Sequence, residues 1–98
     1  MTHCNFIVAK KASNDLEDIY DYGLQEWGAG QAADYILSIN EGFTRLAENP
    51  EIGVPYSHVR HLLRGFVVRS HIIFYRKLPH SVRIIRILHQ SMDVPRHL

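Results

Sequence analysis

Two runs of β-branched and aromatic residues, 66–78 and 82–88, flank Pro79-His80-Ser81 in the last third of the chain. Apolar runs of this length on either side of a short turn predict a β-hairpin. Cations and imidazoles are threaded through both runs, at Arg69, His71, Arg76, Lys77, Arg83, Arg86 and His89, more than a hairpin that only fills a core would carry. The register stays open: loops of two, three or four residues around Pro79-His80 each give Tyr75 a different partner, and a one-residue slip exchanges the faces.

Upstream, residues 6–9 read as a short strand. Ser13 or Asn14 can cap the helix that follows, Asn14 with Glu17 resembling a capping box, and Asp15, Glu17 and Asp18 fall where a helix dipole favours anions. Leu16, Ile19, Tyr20, Gly23, Leu24 and Trp27 recur at helical spacing up to Gly28. A second helix over 30–48 aligns Ala32, Tyr35, Ile36, Ile39, Phe43 and Leu46, and Asn49-Pro50 ends it because a residue before proline avoids the α region. Trp27 and Phe43, lying on these stripes, are expected in the core. Gly28-Ala29-Gly30 between the helices predicts an antiparallel pair. Residues 51–57 read as a loop and 59–63 as a further strand. The expected order is β-α-α-β-β-β, an α+β domain spanning 1–98 with a helical hairpin on one face of a small, mainly antiparallel sheet.

At 98 residues, a chain buries only roughly 60 to 65% of its unfolded surface, so one core of modest stability is expected. The net charge of +1 conceals an asymmetry. Residues 1–49 hold three Lys/Arg against eight Asp/Glu and residues 50–98 eight against two, a −5 half followed by a +6 half, and six of the seven histidines lie in the basic half. Such sorting predicts a sheet that offers a positive surface to an acidic partner. Cys4 is the only cysteine, which excludes an internal disulfide and points to a reducing compartment. The apolar run at 6–9 is too short for a signal peptide or a membrane span, so a cytoplasmic protein is expected.

His71, His89 and Tyr75 beside arginines form a pattern that can serve RNA cleavage, with His or Tyr moving the 2′-hydroxyl proton and Arg stabilising the phosphorane. The competing reading makes Tyr75 and His71 half-buried sheet residues with satisfied polar tips. Past the last strand the chain offers Gln90-Ser91-Met92-Asp93, poor equipment for phosphate cleavage. Direct nucleic-acid binding is not expected at a net charge of +1. His58-Val59-Arg60-His61 has a chelating spacing only if helical and lacks a third ligand, so no metal is assigned. Neither a glycine-rich phosphate loop nor a pair of catalytic carboxylates is present, and no cofactor is assigned.

The run Ser70-His71-Ile72-Ile73-Phe74-Tyr75, then Ile84-Ile85-Arg86-Ile87-Leu88-His89-Gln90-Ser91-Met92-Asp93 and a closing Arg96-His97-Leu98, resembles the C-terminal half of ParE toxins, a branch of the RelE/ParE superfamily. The helix start Asp15-Leu16-Glu17-Asp18-Ile19-Tyr20, the Trp27-Gly28 stop and Asn49-Pro50-Glu51-Ile52-Gly53 are similar to the remainder of that pattern, so the likeness spans nearly the whole chain. It implies a toxin of a type II toxin-antitoxin pair that inhibits DNA gyrase without enzymatic turnover and is neutralised by a ParD-like antitoxin in a hetero-oligomer. The alternative is a ribosome-dependent mRNA endonuclease of the RelE branch. On this reading Arg69, His71, Tyr75, Arg86, His89, Met92, Asp93 and Arg96 contact the target, and Arg60, Arg64, Arg69, Arg76 and Arg86 contact the antitoxin.

Overall fold

A computed structural model describes residues 5–98; Cys4 lies outside them. The chain runs β1 (Phe6–Val8), α1 (Lys10–Trp27), α2 (Ala29–Glu48), β2 (Val54–Pro55), β3 (Arg64–Val68), β4 (His71–Lys77), β5 (Val82–His89) and α3 (Val94–His97). The five strands form one sheet in the order β1-β5-β4-β3-β2. Only β1 runs parallel to its neighbour, Phe6 facing Val82 and Val8 facing Ile84; the other pairings are antiparallel. The α+β class and the helical hairpin on one face agree with the sequence, while β2 and α3 are additional.

Several boundaries differ, each for a local reason. Helix α1 begins at Lys10 with Ala9 in the cap position and no side-chain cap, so the capping box expected at Asn14 does not form. Ala9 is still extended at φ −65° and ψ 156° and its N–H donates to Ile84 O at 2.9 Å, so the chain passes from strand to helix within one residue. The expected strand at 59–63 is a sequence of tight turns: Val59 N and Arg60 N both donate to Tyr56 O, and Leu63 N donates to Arg60 O. The 66–78 run breaks at Arg69-Ser70, a two-residue turn that pairs Val68 with His71. Arg69 sits there at φ 52°, in a region that glycine or asparagine usually fills, which is why its sequence gave no turn signal. The β4–β5 register places Tyr75 opposite Ile84 and skips Ile85, a bulge.

Gly28 separates the helices as a single residue at φ 90°, so α2 starts at once and packs antiparallel to α1. Their shared core with the sheet is Ala12, Tyr35, Ile39, Phe43, Leu46, Ile73, Tyr75, Val82, Ile84 and Ile87. Burying Phe43, Ile39 and Leu46 stabilises the fold by about 1.5–3 kcal/mol each. Ile36 is only half-buried. On α1 the stripe meets the core only in part: Leu16 and Ile19 pack against it and Gly23 is buried, while Tyr20, Leu24 and Trp27 are 37%, 38% and 44% exposed, which corrects the assignment of Trp27 to the interior.

The opposite sheet face is also partly covered. Leu63, Ile72, Phe74 and Leu88 are buried there beneath Tyr56 and Val59 of the turn segment and Val94 and Leu98 of the C-terminal tail. This second cover explains why residues 72–75 of β4 are all buried, where a one-sided sheet would alternate.

Candidate partner-binding cleft

The Arg69-Ser70 turn, the ends of β4 and β5 and the α1–α2 junction meet at one end of the molecule. Tyr35 of α2 organises them. Its hydroxyl accepts from Ser70 N at 3.1 Å and lies 2.6 Å from His71 Nδ1. Among the described contacts the Tyr35 proton has no other acceptor, so the arrangement that satisfies both groups has Tyr35 donating to Nδ1 and His71 neutral with its proton on Nε2. Burial, reinforced by the neighbouring His89 and opposed by Asp15, lowers the His71 pKa from 6.5 to about 4, which keeps the ring neutral near pH 7.

His89 lies directly across from His71 in the β4–β5 register, with the rings edge to face at 5.2 Å. Its Nδ1 accepts from Ser91 N at 3.1 Å and is 2.7 Å from Ser91 Oγ, so the ring is anchored but its other edge is open. The guanidinium of Arg69 lies 5.4 Å from the Tyr35 ring centroid while its Nε donates to Ser38 Oγ at 3.1 Å. Gln90 ties β5 to the same turn, through Gln90 N to Ser70 O and Gln90 Nε2 to Arg69 O, both 2.9 Å.

Trp27 extends this cluster outward. Its ring lies 5.5 Å from that of Tyr35 and meets Tyr22 edge-on at 6.0 Å. Tyr22, Trp27 and Met92 are 60%, 44% and 45% exposed and, with Asp18, Tyr35, His71 and His89, line a cleft of about 550 Å³. Exposed Trp, Tyr, Arg and Met around a rigid centre have the composition of a protein-binding hot spot.

Of the residues expected at a target surface, Arg69, His71, His89 and Met92 come together here. Tyr75 does not: it is fully buried, its hydroxyl accepting from Gly53 N at 3.0 Å and donating to Pro50 O at 2.7 Å. That contact requires glycine at 53, where a Cβ would lie 2.5 Å from the Tyr75 oxygen. Arg86 is also committed internally. It forms two bonds to the Asp15 carboxylate, at 2.8 and 2.9 Å, and donates to His97 O at 2.8 Å, while Asp15 accepts in addition from Ile87 N at 2.9 Å. Asp15 therefore works as the missing edge partner of β5 beyond the end of β1, and not as a dipole-stabilising residue of the first turn. Its hydrogen bond is also what raises the Arg86 pKa. Asp93 and Arg96 are exposed on the tail, outside the cleft.

Among the expected antitoxin arginines, Arg64 is used to hold the preceding loop, donating to Glu51 O and Gly53 O. Arg60 is exposed and Arg76 half-buried, and neither lines the cleft. Arg69 is the arginine nearest the histidine pair, and it is already engaged, its Nε by Ser38 Oγ and its guanidinium over the Tyr35 ring. Residues 58–61 are not helical, and among the described residues no group of three His, Cys, Asp or Glu is placed to hold a metal. Sequence reasoning passed over Tyr35 as a site organiser and Tyr22 and Trp27 as surface residues; the signal for Trp27 was its position directly before the Gly28 break.

A family model described as "ParE toxin of type II toxin-antitoxin system, parDE" matches residues 6–94. The chain is 41% identical over 91 residues to Toxin ParE1 of Caulobacter vibrioides, covering 93% of this chain and 94% of that protein. It is 34% identical over 94 residues to Toxin ParE1 of Mycobacterium tuberculosis, covering 95% and 96% respectively, and 32% identical over 92 residues to Toxin ParE of Escherichia coli, covering 91% and 87%. The fold is shared with a solved chain described as "Chromosomal ParDE TA system from P. aeruginosa", at a TM-score of 0.76, 21% identity and coverage of 87% and 94%.

Proposed function

Since this chain belongs to the ParE toxin family of type II toxin-antitoxin systems, we propose that it acts as one domain in the cytoplasm, inhibiting DNA gyrase by protein–protein contact and neutralised by a ParD-like antitoxin in a hetero-oligomer. The observation that carries the binding mechanism is the rigid, half-exposed cleft around Trp27, Tyr35, Arg69 and Met92. A binder needs preorganised apolar anchors with a polar rim, and Tyr35 locks this surface through its bonds to His71 and Ser70. A nuclease would need a general base and a phosphorane-stabilising cation converging on one point. His71, held neutral by its surroundings and already accepting from Tyr35, supports recognition over proton transfer. No helix among the described residues is long and apolar enough to cross a membrane, in keeping with a target reached directly.

Purified protein added to gyrase supercoiling and cleavage reactions and, in parallel, to translating ribosomes tests this. Gyrase-dependent DNA cleavage that weakens in Trp27→Ala or Met92→Ala, both folded, is the expected outcome. A silent gyrase reaction alongside ribosome-dependent mRNA cleavage that His89→Gln abolishes replaces this reading with that of an endonuclease. Antitoxin binding to the folded state must also raise the melting temperature by mass action; no change with excess ParD-like partner refutes that half.

A further inference from the structure

We infer that the outer face of the sheet, the side away from α1 and α2, carries a docking site for an acidic peptide segment, centred on Arg76 and Arg83; it rests on the antitoxin reading above and assigns that partner's carboxylates to a specific place. Arg76 on β4 lies directly opposite Arg83 on β5. Their chain neighbours Tyr75, Val82 and Ile84 belong to the core beneath the helices, so both arginines project to the other side. Like charges facing across an antiparallel pair disfavour the hairpin. The chain supplies no countercharge: the ion pairs among the described residues are Lys77–Glu51 and Arg86–Asp15, and Glu51, the carboxylate lining the adjacent groove, is the one already held by Lys77. Arg76 Nε is buried without a hydrogen-bond partner, a bond that is costly to leave unmade.

A second, independent feature adjoins it. Leu62 sits at φ 63°, strained for a leucine, and this conformation leaves its side chain 56% exposed on the wall of a groove of about 520 Å³ shared with His61, Arg64 and Lys77. A strained, exposed leucine in a groove lined by Lys77, the chain neighbour of Arg76, matches a segment carrying both carboxylates and an apolar residue. Single-stranded nucleic acid fits less well. The nearby aromatic, Tyr56, is already stacked on His58 and packed edge-on against Phe74, which leaves no open ring for a base.

The test compares wild type with Arg76→Gln/Arg83→Gln and with Arg76→Lys/Arg83→Lys, titrated calorimetrically with the full-length ParD-like antitoxin at several salt concentrations and, in parallel, with a single-stranded RNA oligonucleotide. The glutamine variant is expected to lose roughly 30-fold or more in antitoxin affinity, with a shallower salt dependence. Its own melting temperature should hold or rise, since a repulsion is removed, and the lysine variant should recover part of the binding. Wild-type affinity in the glutamine variant overturns this site while leaving the antitoxin reading in place. Failure of the wild type to bind antitoxin overturns both. Loss of affinity that tracks a fall in melting temperature assigns the arginines to folding, and RNA binding lost while antitoxin binding is unchanged assigns them to nucleic acid; either result overturns the proposal.

Discussion

Replacing Asp15 by Ala tests the internal tie between α1, β5 and the tail. Asp15 and Arg86 side chains are 12% and 17% exposed, so the pair lies well inside the surface regime where ion pairs contribute little. Its removal leaves the Arg86 guanidinium without its anion and the Ile87 N–H without its acceptor at 2.9 Å. An unsatisfied buried donor costs about 1–3 kcal/mol, and a buried pair broken at one partner costs about 3–5 kcal/mol. Because Arg86 keeps its bond to His97 O and some solvent contact, we expect a loss of about 2–4 kcal/mol, a large share of the roughly 5–15 kcal/mol of a typical domain. Urea denaturation should show a lowered midpoint at unchanged slope, and the melting temperature should fall by roughly 10–25 °C. Asp15→Ala/Arg86→Met should regain about 1–2 kcal/mol over Asp15→Ala alone, because the orphaned charge is gone. A single variant within about 0.5 kcal/mol of wild type, or a double mutant no better than the single, refutes the argument that Asp15 substitutes for an edge strand.

His71 has a depressed folded pKa of about 4 against 6.5, so between those values the unfolded chain binds more protons; its stabilising contribution is complete above about pH 6.5 and lost as pH falls through 4, on the order of 1–2 kcal/mol after allowing for partial exposure. Stability measured from pH 7 to 4 should therefore flatten in His71→Gln, and an unchanged slope contradicts the depressed pKa of His71. Tyr75→Phe removes the acceptor for Gly53 N and the donor to Pro50 O and should cost about 1–3 kcal/mol by thermal melting; wild-type melting means water replaces the hydroxyl there. Phe43→Ala, at a fully buried position, should cost about 3–5 kcal/mol, and a well-folded variant with wild-type melting places the core elsewhere.

What the amino-acid sequence determined by itself was local. The 3.6-residue stripe of α2 identified Ala32, Tyr35, Ile39, Phe43 and Leu46, all buried, because a helix packed along its length must keep its apolar side inward. The two apolar runs likewise specified strands, and the order and spacing of short motifs specified the family. The tertiary structure decided everything that depends on a second surface. Tyr20, Leu24 and Trp27 follow the same periodicity on α1 and yet stay 37%, 38% and 44% exposed, since periodicity does not say how much of a stripe the neighbouring elements cover. Arg69 makes a tight turn without glycine because Ser70 N finds Tyr35 and Arg69 O finds Gln90, partners 35 and 21 residues away. Asp15 and Arg86, each readable as a solvated charge, become one buried unit across 71 residues of sequence. Periodicity reports the environment that a segment requires, while only the packed fold reports which segment provides it; a polar side chain satisfied at long range therefore leaves no local signature.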